Sequence, residues 1–175
     1  MQVSIIGKGR TWNEAPTTGE CWGITQLILR RSVDLVIDMN VYEDGRWGEQ
    51  EQQEAIRVVE ICKDRGIPYV CLANYPIEEI VREFKTDYFS STVDYAIALA
   101  IYKGYTDIDL YGVTMDGASD YYKIKCGCDF WCGYAKGRGV NVTVHGITTV
   151  MKTQDGLVYG YDVKQGTLLE RWNRG

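Results

Sequence analysis

The sequence has no basic stripe, no long apolar run and a single histidine, and each scarcity narrows what the protein can be. It carries 19 Lys and Arg against 24 Asp and Glu, which gives a formal net charge of −5. Without a basic surface to hold a phosphate backbone, binding to duplex nucleic acid is not expected. No segment reaches the roughly 18 apolar residues of a membrane span, and the start, MQVSIIGKG, lacks signal-peptide features. These patterns predict a cytoplasmic protein that does not enter a membrane.

The six cysteines are expected to stay reduced, because disulfides are rare in the cytoplasm. Cys62 falls in an apolar helical stripe and Cys71 in an apolar strand, so both are interpreted as small core residues. Three more form a C-x-C-x3-C pattern: Cys126, Cys128 and Cys132. With His145 they could supply four zinc ligands, but the spacing is not that of a zinc finger or ribbon. Packing within a helix is therefore preferred to a zinc site.

A length of 175 residues with 45% hydrophobic content suits one globular domain. We assign residues 1–163 to that domain and the polar residues 164–175 to a tail. Short apolar runs bounded by turn residues predict buried parallel strands at 3–7, 34–39, 67–72 and 107–113. Helical patterns predict helices at 49–65, 75–84, 92–103 and 129–136.

The helix predicted at 49–65 is amphipathic, and Gly66 supplies its stop. Its apolar face comprises Ala55, Val58, Val59 and Cys62. Because it joins two predicted parallel strands, it is interpreted as a crossover helix.

The helix predicted from Thr92 has no polar face and is expected to be buried nearly all round. Ser91 and Asp94 approximate a capping box at its start, and Gly104 is a natural left-handed terminator.

The region after the fourth helix is predicted to end the sheet. Val140, Val142 and Val144 alternate with polar residues, which is typical of an edge strand with one solvated face. The dipeptide Asp155–Gly156 between β-rich flanks predicts a closing hairpin that reaches GLVYGYD. The predicted fold class is therefore α/β: a three-layer, Rossmann-like sandwich with a mainly parallel sheet and a C-terminal β-hairpin.

Such sheets bind ligands at the carboxyl ends of their strands, near the switch in strand order. This rule selects Gly7 to Thr11, Asp38 to Asn40, Asn74, Ser90 to Thr92 and Thr114 to Asp116.

In the first of these loops, GKGRT, two glycines let backbone N–H groups approach a ligand, and a tight turn is the alternative interpretation. The loop adds three polar side chains: Lys8, Arg10 and Thr11. The start of the helix at Ser90, Ser91 and Thr92 offers further N–H groups to an anion, while simple capping is the alternative for Ser91.

Two carboxylates at strand ends, Asp38 and Asp116, could share a Mg²⁺ ion, although such residues also serve as caps. Asp94 would repel a phosphate unless a metal or a ribose hydroxyl lies between them. No pair of nucleophile and base can be named from spacing, and His145 is interpreted as a surface residue.

One long stretch, STVDYAIALAIYKGYTDIDLYGVTM, resembles phage-encoded Rossmann-like proteins related to the MptE-type hydroxymethylpterin pyrophosphokinases and the bacterial sialyltransferases that use CMP-sialic acid. The resemblance extends over most of the chain: SIIGKGRTWNEAP, CWGITQ, LVIDMN, FWCGYAKGRGV and LVYGYD. It implies a Rossmann-like fold, a strand at Cys21 to Thr25 and a host-cytoplasmic location if the protein is phage-encoded.

The resemblance also implies a nucleotide site at Gly7, Gly9, Thr11, Ser91 and Thr92, with Asn40 as a further polar contact. The sequence departs from the family at three of its positions. Arg10 replaces a proline, Thr25 stands in place of an asparagine beside Gln26, and Asp94 replaces a small residue. No histidine matches the sialyltransferase base, so sialyl transfer is not expected.

Three hypotheses for function follow. In the first, the protein captures a nucleotide-derived molecule intact, as a phage sponge for a nucleotide immune signal would. In the second, it is a transferase for a glycosyl, phosphoryl or nucleotidyl group that uses Mg²⁺. In the third, it is a structural protein with a vestigial pocket, because a fold does not fix a function. A small-molecule nucleotide or nucleotide sugar is the expected partner of the first two, and a homo-oligomer is left open.

Overall fold

A computed structural model describes residues 1–42, 45–115 and 119–173. Its central feature is a six-stranded sheet in which neighbouring strands all run parallel. The strands are β1 (Gln2–Ile6), β2 (Glu20–Ile24), β3 (Leu35–Ile37), β4 (Tyr69–Val70), β5 (Asp107–Tyr111) and β6 (Asn141–Val144). Their order is β4-β3-β2-β1-β5-β6. The predicted α/β class and the strand that the resemblance implied near Cys21 are confirmed.

Five α-helices accompany the sheet: α1 (Glu49–Arg65), α2 (Ile77–Phe84), α3 (Thr92–Tyr102), α4 (Ser119–Gly137) and α5 (Leu168–Trp172). Three 3-10 turns lie at Arg10–Glu14, Thr25–Leu29 and Gln154–Gly156. Within the described ranges, no helix is both long and apolar enough to cross a membrane.

The sheet is covered on both faces, which makes three layers. Alternate residues of a strand point to opposite faces, and Ile5 packs in a cluster with residues of α2, α3 and α4. Its neighbour Ile6 packs in the other cluster, with Val58 and Cys62 of α1. Because α3 contacts the sheet as well as α2 and α4, it has little solvated surface, as its lack of a polar face predicted.

Helix α1 has the predicted bounds, but its buried face is narrower than predicted. Val59 is 45% exposed, whereas Val58 and Cys62 are buried. The helix packs against the sheet along one stripe, and Val59 lies at the border of that stripe. Cys71, predicted in the core, is half-buried because β4 ends before it, at Val70.

The fourth helix begins at Ser119, well before the predicted start at Asp129. Its first half contains Gly127, which lowers helix propensity. Helix α4 is stabilised by packing against α3, and local sequence patterns do not reveal such a contact.

The C-terminal segment, as far as the structure describes it, does not form the predicted β-hairpin with two regular strands. Asp155 and Gly156 belong to a 3-10 turn, with φ angles of 56° and 69°. The chain reverses after them and forms one antiparallel bridge, between Leu157 and Lys164, with no regular strand in the described residues of this region. The predicted tail includes the short helix α5.

The sheet order places the switch point between β1 and β5. Strands β1 to β4 follow one another towards one edge, while β5 returns to the other side of β1 and is followed by β6. A crevice forms where connections leave in opposite directions, at the carboxyl ends of two such strands. The loops after Ile6 and Tyr111 therefore border the expected ligand site.

Candidate ligand-binding cleft

A cleft of about 290 Å³ lies at this switch point. It is lined by the end of β2, by residues that follow β1, β2, β3 and β5, by the start of α3 and by one residue of α4: Gly7, Lys8, Gly9, Ile24, Thr25, Asn40, Trp47, Ser91, Thr92, Val93, Gly112, Val113, Thr114, Met115 and Ile124. The prediction from strand order thus coincides with an actual concavity. Of the predicted site residues that the structure describes, Arg10, Thr11, Asp38, Asn74 and Ser90 do not line it.

The glycine loop after β1 is joined tightly to the end of β5. The N–H of Gly7 donates to the carbonyl of Tyr111 at 2.8 Å, and the N–H of Gly9 donates to the carbonyl of Gly112 at 2.8 Å. A Cβ on Gly7 would lie 2.5 Å from the oxygen of Gly112, and one on Gly9 would lie 2.7 Å from it. The glycines are needed for this close approach, and their N–H groups bind the protein itself.

Two other residues of the loop do not line the cleft. The Thr11 hydroxyl oxygen is buried and accepts the N–H of Gly112 at 2.9 Å. Arg10 is exposed at the start of the 3-10 turn. The predicted alternative, a tight turn, therefore describes GKGRT better than a phosphate cradle does.

The start of α3 is organised around the carboxylate of Asp94, which has no exposed surface. Its Oδ2 atom accepts the backbone N–H groups of Ser90 at 2.8 Å and Ser91 at 3.0 Å. The Ser91 hydroxyl donates to Oδ1 at 2.8 Å, and the Ser90 hydroxyl lies 2.9 Å from Oδ2. The predicted capping box is confirmed.

Asp94 thus occupies the position that an anionic ligand was predicted to take. Burial raises the pKa of this carboxyl group, while the hydrogen bonds from Ser90 and Ser91 oppose the rise. Because a carboxylate in the first turn already compensates the positive end of the helix dipole, α3 offers little to a second anion. Thr92 remains in the wall of the cleft.

A chain of hydrogen bonds crosses the carboxyl ends of β1, β2 and β3. The Lys8 ammonium donates to Gln26 Oε1 at 2.7 Å, and Gln26 Nε2 donates to the Tyr42 hydroxyl oxygen at 3.1 Å. The Tyr42 hydroxyl donates to Asp38 Oδ2 at 2.8 Å. Asn40 Nδ2 donates to Asp38 Oδ1 at 2.7 Å. Two residues of this chain, Lys8 and Asn40, line the cleft.

The ionisable groups of this chain have displaced pKa values. Burial raises the pKa of Asp38, against the hydrogen bonds from Tyr42 and Asn40. Desolvation lowers the pKa of Lys8, and the charge of Asp38 opposes that change. Burial, followed by the charge of Asp38, raises the pKa of Tyr42. Such linked, displaced groups are typical of functional sites.

Asp38 is the predicted magnesium ligand that lies in the described residues, and both of its oxygens accept hydrogen bonds from the protein, Oδ1 from Asn40 and Oδ2 from Tyr42. Asp116 lies outside the described residues. The described parts of the chain hold no group of three or more His, Cys, Asp or Glu side chains arranged for a metal ion. Magnesium binding stays a prediction.

Two buried polar atoms beside the cleft have no hydrogen-bond partner in the described structure: Thr25 Oγ1 and Trp47 Nε1. Thr25 is 5% exposed, and both residues line the cleft. An unpaired buried donor or acceptor costs about 1–3 kcal/mol, so such atoms are rare and need an explanation.

Two residues of the cleft also have a strained backbone. Thr25 has a φ of 52° and Met115 a φ of 49°. Left-handed backbone is unfavourable for residues other than glycine and most of all for a β-branched side chain. Strain of this kind clusters at binding and catalytic sites, and here both residues border one concavity.

The remaining predicted residues have structural partners elsewhere. Asn74 holds the end of β4, since its Oδ1 accepts the N–H of Cys71 and its Nδ2 donates to the carbonyl of Tyr69. Cys128 and Cys132 are buried one turn apart on α4, whereas Cys126 is exposed, so the three thiols do not face a common point.

Sequence reasoning missed Tyr42 and Trp47, which lie in the irregular segment between β3 and α1. No periodic pattern or glycine motif marks them. Thr25 carried a signal, because it stands where the resemblance leads one to expect an asparagine, and Gln26 lies beside it. A further groove of about 460 Å³ lies beside α1 and shares Asn40 with the cleft.

No protein-family model matches the sequence, and no curated protein matches it significantly. Among solved structures, a probable thiamine pyrophosphokinase from Staphylococcus saprophyticus is 16% identical with a TM-score of 0.44, and the match covers 83% of this chain and 65% of that one. The sialyltransferase CstII from Campylobacter jejuni, in complex with CMP-3FNeuAc, is 13% identical with a TM-score of 0.44, over 82% of this chain and 79% of that one. A complex of this sialyltransferase with a trisaccharide acceptor and CMP has a TM-score of 0.42 at 13% identity, over 82% and 80% of the two chains. The Rossmann-like fold of this chain is established by its own strand order.

Proposed function

We propose that the cleft at the switch point binds a nucleotide or a small nucleotide-derived molecule. The observation that carries this proposal is the pair of unpartnered, buried polar atoms, Thr25 Oγ1 and Trp47 Nε1, in the wall of one cleft. A bound ligand would supply the missing hydrogen bonds and remove their energetic cost.

The chemistry of the lining residues restricts the ligand. The Trp47 indole is a donor only, so the ligand has to offer an acceptor such as a base carbonyl or a sugar oxygen. The Thr25 hydroxyl can either donate or accept. A cleft of about 290 Å³ suits a small ligand, such as a mononucleotide or one end of a nucleotide sugar.

The charged part of the ligand is expected at Lys8 rather than at α3. Asp94 already compensates the start of α3, and Lys8 is the cationic residue that lines the cleft among those described. The acceptor of the present Lys8 hydrogen bond, Gln26 Oε1, carries no charge. Exchange of that contact for a phosphate oxygen gives a stronger, charge-assisted hydrogen bond.

Transfer of a group from the bound nucleotide is a second candidate function. It is favoured by the linked, displaced pKa values of Lys8 and Asp38 at the edge of the cleft. Capture of an intact ligand, such as a nucleotide immune signal held by a phage protein, is the other use of the same cleft. Transfer would release a chemically altered ligand, whereas capture would release the ligand unchanged.

A thermal-shift screen against nucleotides and nucleotide sugars tests binding. We expect at least one ligand to raise the melting temperature, and we expect Trp47→Phe to weaken its binding by about tenfold, the equivalent of one hydrogen bond. Trp12→Phe is the control, because Trp12 packs against the α1 side of the core and does not line the cleft.

Equal affinity in the wild type and Trp47→Phe, or no shift with any compound, would contradict the proposal. Chromatography of the ligand released by denaturation separates the two uses. A new product that Asp38→Asn abolishes supports transfer, and return of the intact ligand supports capture.

A further inference from the structure

A second cleft, of about 430 Å³, lies beside β6 and shares no residue with the first. Three lysines from different segments line it: Lys136 near the end of α4, Lys152, and Lys164 at the antiparallel bridge. We call this concavity the lysine cleft. The chain as a whole is acidic, with a net charge of −5, whereas the charged residues described along this cleft are all basic.

The three lysines have no acidic partners in the described part of the chain. None of them takes part in an ion pair there. No acidic residue is among the described ones that line the cleft, and Asp129, whose carboxylate accepts the N–H of the lining residue Met151, is paired with Lys125. An anion in the cleft would supply the opposite charge to these lysines.

The floor of the lysine cleft is apolar and fixed to the core. It is formed by Val142 and Val144 of β6 together with Val150 and Met151. The N–H of Met151 donates to Asp129 Oδ1 of α4, and Gln165 Nε2 donates to the carbonyl of Met151. An apolar wall on one side of a charged group reduces solvent screening and strengthens each charge pair.

We propose that the lysine cleft binds a phosphoryl-bearing anion, with a diphosphate group as the best match to three ammonium groups. Lys side chains bind phosphate as point charges with rotatable donors, so they do not need the planar geometry of a carboxylate. The site goes beyond the nucleotide cleft and does not depend on it, because the two share no side chain.

Calorimetric titration of the full chain with inorganic pyrophosphate at low ionic strength tests the proposal. We expect binding that weakens as salt is added. The triple variant Lys136→Gln, Lys152→Gln, Lys164→Gln should lose about tenfold in affinity, since it removes three exposed charge pairs that are each weak. Lys63→Gln, an exposed lysine of α1, is the matched control and should bind as the wild type does.

Lys8→Gln identifies the cleft that is used, because Lys8 is the cationic residue that lines the first cleft among those described. If pyrophosphate binds in the lysine cleft, this variant keeps the wild-type affinity. The proposal is overturned if the wild type does not bind pyrophosphate, if the triple variant binds it equally well, or if Lys8→Gln abolishes the binding. Circular dichroism and melting of each variant confirm that the exposed substitutions leave the fold intact.

Discussion

The two groups of polar residues around the switch-point cleft differ in how fully they are hydrogen-bonded. At the start of α3, Asp94 accepts hydrogen bonds from both Ser90 and Ser91, so the side-chain oxygens of all three residues have partners. After β2, Thr25 is strained, and its hydroxyl shares with the Trp47 indole the lack of any described partner. The hydrogen bonds of the first group stabilise the start of α3, whereas the two polar atoms of the second group form no hydrogen bond in the described structure.

This difference shows that polar residues at the carboxyl edge of a sheet do not all serve the ligand. The hydroxyl pair is conspicuous in the sequence, yet its bonds are turned inwards towards Asp94. Substitution within the fully hydrogen-bonded group should lower the stability of the fold, because removing one partner leaves another polar group unpaired. Substitution of a polar group that has no partner should not lower it.

The largest effect is expected at Gly127 of α4, which packs against the Asp94 group. A Cβ there would lie 2.1 Å from Ser90 Oγ and 2.3 Å from Asp94 Oδ2. Gly127→Ala should therefore lower the free energy of unfolding by about 1–3 kcal/mol, through overpacking and displacement of the carboxylate. Urea denaturation measures the change.

Gly133→Ala is the matched control on the same helix, because a Cβ there meets no atom within 4 Å. It should raise the free energy of unfolding by about 0.5–1 kcal/mol, since alanine has the higher helix propensity. Equal effects at the two positions would show that α4 does not press against the Asp94 group.

A smaller effect is expected in the pH dependence of stability. Since burial raises the pKa of Asp94, the folded state binds the proton more tightly than the unfolded state does. Its contribution is fully present below the unfolded pKa and is lost as pH rises through the folded pKa. The stability of the wild type relative to Asp94→Asn should therefore fall over this window and level off above it.

Urea denaturation at a series of pH values gives this difference curve. Asp64→Asn, which removes an exposed carboxylate of α1, serves as the control for general charge effects. A wild-type advantage that grows with pH would mean that the hydrogen bonds from Ser90 and Ser91 outweigh the burial of Asp94.

The smallest change in stability is expected for Thr25→Val. The hydroxyl that it removes has no partner, so the free energy of unfolding should stay unchanged or rise by up to about 1 kcal/mol. Affinity for a nucleotide that raises the melting temperature of the wild type should fall. Thermal and urea denaturation with and without that ligand separate the two effects.

Thr148→Val is the control, because the Thr148 hydroxyl donates to the carbonyl of Val113 at 2.9 Å and accepts the N–H of Val150 at 3.0 Å. Its loss should cost about 1–3 kcal/mol. If Thr25→Val destabilises the unliganded protein as much as Thr148→Val does, the Thr25 hydroxyl forms a hydrogen bond in the folded protein. The difference described between the two polar groups is then wrong.

Local patterns in the sequence were sufficient for much of the fold. The helix at 49–65, the buried helix after Ser91 with its capping box, and the edge strand after Val140 were all predicted from periodicity and capping residues. These features depend on neighbours three or four positions apart in a helix, or two apart in a strand, which the sequence displays directly. The alternation of strands and helices fixed the α/β class for the same reason.

The tertiary structure alone decided what the polar residues at the sheet edge do. The sequence places Gly7 and Gly9 at a predicted ligand site, but it does not show that the carbonyls of Tyr111 and Gly112 accept their N–H hydrogen bonds. It also gives no sign that Trp47 reaches the wall lined by Thr25. These contacts join segments far apart in the chain, and their partners depend on strand order and on the distance between loops, neither of which is encoded in local spacing.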